Sequence, residues 1–116
     1  MKLLRIKADY VENRNEHFIF LLLADDENRI VTDTEMFGYV VDDEEEEGLS
    51  KFPFIITATT KNDNLILNYG AGLEYLRSKI NLPKIKLKIN EYFTRWDGVE
   101  SEEYTYIISH ITEIIS

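Results

Sequence analysis

Asp42-Asp43-Glu44-Glu45-Glu46-Glu47 sets six carboxylates in succession with no base among them. Carboxylates at that density ligate a hard cation, which takes about six to eight oxygens, attract lysine and arginine on a partner, or do no more than keep a solubilising loop in water. A calcium loop is not formed at the best-spaced position, Asp26-Glu27-Asn28-Arg29-Ile30-Val31. Its fifth residue is Ile30 and its sixth is not glycine, so the expectation is no metal and no cofactor. Neighbouring carboxylates about 6 Å apart repel by roughly 0.7 kcal/mol in water, less in salt, too little to unfold a domain. Six such charges keep a segment extended and reward association with a cationic surface.

Other residues with chemical potential are sparse. His17 and His110 stand alone, with no second histidine at zinc-chelating spacing. Asn68-Tyr69-Gly70-Ala71-Gly72 offers a lone Gly-x-Gly before an expected helix, without the third glycine or the lysine of a phosphate loop. Lys84, Lys86 and Lys88 make a basic row followed by Tyr92, Phe93, Arg95 and Trp96. That order would suit single-stranded nucleic acid on a positively charged protein. This chain is −9 overall, and the row is expected to pair across a sheet with Glu100, Glu102 and Glu103. No catalytic constellation emerges, so the enzyme question stays open and leans towards no.

The charge is strongly segregated. Between Asp9 and Glu47 there are 14 acidic residues against Arg14 and Arg29, a local −12, whereas the remainder has 11 bases against 8 acids, or +3. The candidate partner-binding residues are therefore Asp25, Asp26, Glu27, Asp33, Glu35, Asp42, Asp43, Glu44, Glu45, Glu46 and Glu47. With 116 residues the chain fits one domain, residues 1–116, able to bury a core without staples. Cysteine is absent, so disulfides and thiolate sites are excluded. The N-terminus carries charge every two or three residues, and the longest apolar run, Phe18 to Ala24, is seven residues. Neither suits a signal peptide or a membrane helix, so a soluble, cytoplasmic protein is expected.

These residues are positioned by elements read from periodicity. Leu4, Ile6, Ala8 and Tyr10 alternate with Arg5, Lys7 and Asp9, the period of a half-buried strand. His17 to Ala24 is apolar throughout and reads as a strand covered on both faces. Arg29 to Thr32 is a possible hairpin return, Asp33 to Tyr39 is ambiguous, and an acidic solvated loop is expected near 42–50. Phe52 to Thr60 follows as a strand whose Pro53 belongs at its start or on an edge. Leu65 to Tyr69 is another short strand. Leu73, Leu76 and Ile80 at i, i+3 and i+7 predict one short helix near residues 71–81, stopped by Asn81 and Pro83. Lys84 to Ile89 alternates as a strand, and Asp97-Gly98 reverses the chain into a last strand, Glu103 to Ile114. There Tyr104, Tyr106, Ile108 and His110 share one face in the absence of a bulge.

The sum is a mainly-β α+β domain: an antiparallel sheet or small partly open barrel of about 6–7 strands with one short helix, similar in element order to an OB-type barrel. Fold analogy carries no function. Charge supports an interaction module whose acidic face binds a basic partner protein, by the physics that immunity proteins and nucleic-acid-mimicking inhibitors use. No nucleic-acid or membrane partner is expected, and the oligomeric state is not legible. One alternative is a small-ligand-binding or enzymatic β domain with a pocket lined by Tyr69, Tyr92, Trp96, Tyr104 and Tyr106. Another is a structural or phage-derived assembly component.

Overall fold

Each strand pairs with the one that follows it. A computed structural model describes residues 1–31, 35–44, 48–58, 64–70, 77–97 and 102–115. Among these lie β1 (Lys2–Tyr10), β2 (His17–Ala24), β3 (Met36–Glu44), β4 (Gly48–Ala58), β5 (Leu65–Asn68), β6 (Ser78–Ile80), β7 (Tyr92–Asp97) and β8 (Glu102–Ile115). Every neighbour in this order is antiparallel, and β8 returns to β1, closing an eight-stranded up-and-down barrel. The barrel is mainly β and antiparallel, with more strands than expected and full closure in place of a partly open sheet. Closure removes the edges that would otherwise invite pairing with other chains. No helix among the described residues is long and apolar enough to cross a membrane.

Inward positions follow from the register. Leu4, Ile6 and Ala8 of β1 face Leu22, Phe20 and Phe18 of β2, and all six are buried. On the outer side of β2 only Ile19 is buried, while Leu21 and Leu23 stay partly exposed, so this strand is covered on one face and in part on the other. Phe18, Phe20, Phe54 and Phe93 meet in the centre at centroid separations of 4.9 to 6.1 Å. Eight strands enclose about enough space for side chains to fill, and these rings fill it.

Three expected elements are corrected. The helix near 71–81 is not formed at its C-terminal part: Ser78–Ile80 is β6, and residues 71–76 lie outside the described ones. Ser78 and Ile80 both point inward at period two, opposite Leu67 and Leu65 of β5. Pairing on both sides outweighs the weak helical spacing, because propensity yields to tertiary contacts. Lys84 to Ile89 is not a strand either. Leu82–Lys84 forms a single 3-10 turn around Pro83, and the segment beyond it has no ladder partner; the Leu87 amide donates instead to the Asn28 carbonyl at 2.7 Å. Its apolar residues plug one end of the barrel, with Leu82 and Leu87 buried. Finally, residues 42–44 and 48–50 are paired strand, Asp42 with Ser50 and Glu44 with Gly48, so the expected solvated loop narrows to Glu45, Glu46 and Glu47, which lie outside the described residues.

In β8 the alternation is interrupted. Lys7 of β1 pairs with His110 and the next residue, Ala8, with Ile108, leaving Ser109 as an extra residue whose hydroxyl donates to the Lys7 carbonyl at 3.2 Å. This bulge shifts the face. Tyr104, Tyr106 and Ile108 point inward, His110 is exposed, and Ile111 takes the place opposite Ile6.

Candidate functional site

Up-and-down topology sorts the connections between two ends. The β1–β2, β3–β4, β5–β6 and β7–β8 connections share the upper end. Both termini and the other three connections share the lower end, which Leu82 and Leu87 seal. The candidate acidic residues are consequently divided. Asp25, Asp26 and Glu27 form the turn after β2, with Glu35 before β3, at the lower end; Asp42, Asp43 and Glu44 end β3 at the upper one. An eight-residue strand, about 26 Å long at roughly 3.3 Å per residue, separates the groups. Asp33 and Glu45 to Glu47 lie outside the described residues.

At the lower end the acids are part of the turn and near bases. Asp25 Oδ1 accepts from the amides of Glu27 at 2.9 Å and Arg29 at 3.0 Å, which lets Asn28 take a positive φ of 60°. Lys2 Nζ donates to Asn28 Oδ1 at 2.8 Å, and the segment carrying Lys84, Lys86 and Lys88 is tied to the same turn through Leu87. Lys88 pairs with Glu91 at 3.2 Å, and the expected pairing of this row with Glu102 and Glu103 does not occur, since those residues face β7 from the other end; Glu100 lies outside the described residues. The amide of Arg29, aided by that of Glu27, holds the Asp25 carboxyl below its ordinary value of 3.8, although desolvation opposes the shift. A depressed folded-state pKa contributes stability that is present above the unfolded value and lost as pH falls through the folded one. Asp25→Ala is therefore expected to lower the thermal midpoint at pH 7, with the gap to the parent protein narrowing below pH 3.8. A scan of melting temperature against pH checks this; a gap that widens in acid would contradict it.

The upper end has a different construction. Arg95 lies on the inward face of β7, between Phe93 and Asp97, and is 9% exposed. Its Nε donates to Asp97 Oδ1 at 2.7 Å and its Nη1 to the Tyr106 hydroxyl at 3.1 Å, with Asp42 of β3 at 3.9 Å across the mouth. The guanidinium also sits 5.4 Å from the Phe18 ring centroid and 5.7 Å from that of Tyr104, within cation–π range. Ser78 donates to Asp97 at 2.5 Å, and so the Tyr69 hydroxyl, 2.7 Å from Ser78 Oγ, donates in turn to the serine. Tyr10 packs edge-on against Tyr104 and tilted against Tyr106, its hydroxyl donating to Glu12. Residues of four strands, β2, β3, β7 and β8, with three rings among them, thus contact one cation.

Protonation states follow from these contacts. Burial works against the Arg95 charge, but its polar neighbours, with the hydrogen bond to Asp97 among them, outweigh it, and the guanidinium is held more firmly protonated than usual. Burial also raises Tyr69 and Tyr106, and the hydrogen bond to Glu102 pushes Tyr104 up to about 12. These tyrosines are neutral donors at pH 7, so none serves there as a base. The arrangement is one that recognises: a fixed cation, carboxylate acceptors and hydroxyl donors on aromatic walls.

Three of the five tyrosine-pocket residues are brought together, Tyr69, Tyr104 and Tyr106. Tyr92 is largely exposed on the outer wall, and Trp96 donates outside to Glu103 at 3.1 Å. The sequence analysis assigns Arg95 to the outer basic stretch and Asp97 to a turn, and misses Ser78 and the inward direction of Arg95, Asp97 and Asp42. Their signal was present: Phe93, Arg95 and Asp97 alternate, as do Val40 and Asp42, which puts charge on faces that should be apolar. His17 and His110 lie on the outer wall on opposite flanks of β1, paired with Asp9 and Lys7, and do not meet. Among the described residues no group of three or more His, Asp or Glu is placed to hold a metal ion. Comparison with family models, with curated proteins and with solved structures finds no match for this chain.

Proposed function

We propose that the chain is an interaction module whose upper, acidic end binds a cationic surface of a partner protein. The supporting observation is the gathering of charge by topology. Among the described residues, Asp9, Glu12, Glu16, Asp42, Asp43, Glu44, Asp97, Glu102 and Glu103 share that end with Arg14, Lys51, Arg77, Lys79 and Arg95, nine acids against five bases, a net −4. Among the described residues the lower end has Asp25, Asp26, Glu27, Glu35, Glu91 and Glu113 against Lys2, Arg29, Lys84, Lys86 and Lys88, a net −1. A field concentrated at one end of the barrel orients an approaching basic protein and raises its on-rate. The proposal narrows the acidic face read from sequence to Asp42, Asp43 and Glu44 together with Glu12, Glu16 and Glu102; Asp25 to Glu27 have a turn to maintain.

Two variants of equal net charge separate the ends. Asp43→Lys/Glu44→Lys is expected to weaken capture of a partner from native lysate by about tenfold or more at low salt, with the difference shrinking as salt screens it. Asp26→Lys/Glu27→Lys is expected to retain capture. Equal loss in both variants, or capture indifferent to salt, would sink the reading.

A further inference from the structure

Residues 82–91 cross the lower mouth as a strap whose two roots are fixed and whose tip reaches the far rim. At the first root Asn81 is paired with β7: its side-chain oxygen accepts from the Thr94 amide at 2.7 Å, and its own amide donates to the Thr94 carbonyl at 3.3 Å. At the second, the Asn90 amide donates to the Ile108 carbonyl of β8 at 2.8 Å and the Ile108 amide to the Glu91 carbonyl at 2.9 Å. Asn90 turns the chain there with a positive φ of 73°, a conformation that asparagine tolerates. Roots on adjacent strands make the segment a closed loop of the Ω type. The turn after β2 lies on the opposite side of the closed barrel from the connection between β6 and β7. Among the described residues one backbone bond joins the tip to that turn, from the Leu87 amide to the Asn28 carbonyl at 2.7 Å.

We propose that the tip of this strap, residues 85–89, lifts from the lower mouth and returns to it as a unit, with Leu87 as its plug, while the β ladders stay intact. Little holds the tip down. Leu87 is buried and Ile85 partly so, whereas Lys86, Lys88 and Ile89 face solvent, and none of these residues belongs to a ladder. Local opening draws on segments with few buried apolar groups and a solvated backbone. Lifting the tip breaks the Leu87–Asn28 bond and withdraws those two side chains, whereas displacing β2 would break ladders on both of its sides. Closure is favoured because Leu87 leaves water and because the fixed roots keep the tip beside its seat. Charge favours it too: Lys86 and Lys88 flank Leu87, and the turn that receives it carries Asp25, Asp26 and Glu27. Each opening exposes the lower end of the apolar core, a route into the barrel that leaves the strand pairing unbroken.

The chain has no cysteine, so a single introduced thiol reports the opening. Leu87→Cys places it on the plug, and Leu22→Cys places it at a buried position of the ladder between β1 and β2. Iodoacetamide, small and neutral, is not repelled by the acidic surface and alkylates a thiolate only when solvent reaches it. Leu87→Cys is expected to react at least about 100-fold faster than Leu22→Cys and at least about tenfold slower than an unstructured cysteine peptide, as a locally opening segment does. Equal rates for the two thiols would mean that Leu87 is exposed only when the barrel unfolds, and a rate equal to the peptide's that the tip is never closed; either result overturns the proposal. Hydrogen exchange on the parent protein decides if a variant does not fold. The Leu87 amide is expected to exchange at least about 100-fold faster than that of Phe20, which lies between β1 and β3, and at a rate unchanged by low urea. A urea dependence shared by both amides would overturn the opening as well. Neither measurement depends on partner capture at the upper end, which the charge-reversed variants at Asp43 and Glu44 test separately.

Discussion

Gly38→Ala is expected to destabilise the barrel by about 3 kcal/mol, the upper part of the usual range for overpacking. Gly38 occupies an inward position of β3 with Phe20 of β2 on one side and Phe54 of β4 on the other. Strands two apart in a sheet stand about 10 Å apart, yet the two rings come within 5.8 Å, centroid to centroid, because nothing projects between them. A methyl group at Gly38 would stand 3.1 Å from two Phe54 ring carbons and would collide with the backbone carbonyl of Ile19. A ring can tilt aside, but a carbonyl held in a strand pair can do so only by distorting the sheet. Phe54→Leu should therefore cost less in the Gly38→Ala background than alone, with the double variant still below the parent protein. Urea unfolding at constant m-value measures all four corners of this cycle. A Gly38→Ala loss within about 0.5 kcal/mol would show that the two rings do not meet over a glycine gap.

Gly38 also shows where legibility ended. Asp33 to Tyr39 is ambiguous by sequence, and a glycine within a strand marks a close approach only once β2 and β4 are placed on either side of it. By contrast, β1 was legible because one face is apolar and the other charged, so a single period decided it. Lys84 to Ile89 has the same alternation and is not a strand. Nothing local distinguishes a strand from an irregular plug that buries Leu87 by lying across a barrel mouth. The face of Tyr104, Tyr106 and Ile108 could be read only as far as Ser109, since a bulge leaves no mark in composition. The acidic cluster was the clearest sequence signal and the most changed by topology. Contiguity in sequence implies one face, whereas antiparallel strands carry these residues alternately to opposite ends. Arg95 was the reverse case: it drew attention as part of a basic row, and register placed it inside with Phe93.

Arg95→Met is expected to destabilise the domain by about 3 kcal/mol at pH 7. Removing one member of a buried charge pair costs roughly 3–5 kcal/mol because the remaining charge is left without compensation. The lower figure applies because Asp97 and Asp42 are each 32% exposed and water relieves part of the loss. Methionine has the length to fill the space against Phe18 and Tyr104, so the greater share of the effect is electrostatic rather than a cavity. That division has a consequence for the double variant. Arg95→Met/Asp97→Asn removes the stranded carboxylate while leaving an amide for Ser78, and is expected to recover at least about 1.5 kcal/mol of the loss. If the two losses simply add, Arg95 contributes by packing alone and its bond to Asp97 is not what holds β7 in place. Arg95→Met as stable as the parent protein would mean that methionine packing fully replaces the ionic cluster, as happens when buried ion pairs are exchanged for hydrophobic residues. The expected order, parent above double variant above Arg95→Met, follows from Asp97 and Asp42 converging on one guanidinium, where the neutral Tyr69 and Tyr106 hydroxyls supply no second positive charge to take its place.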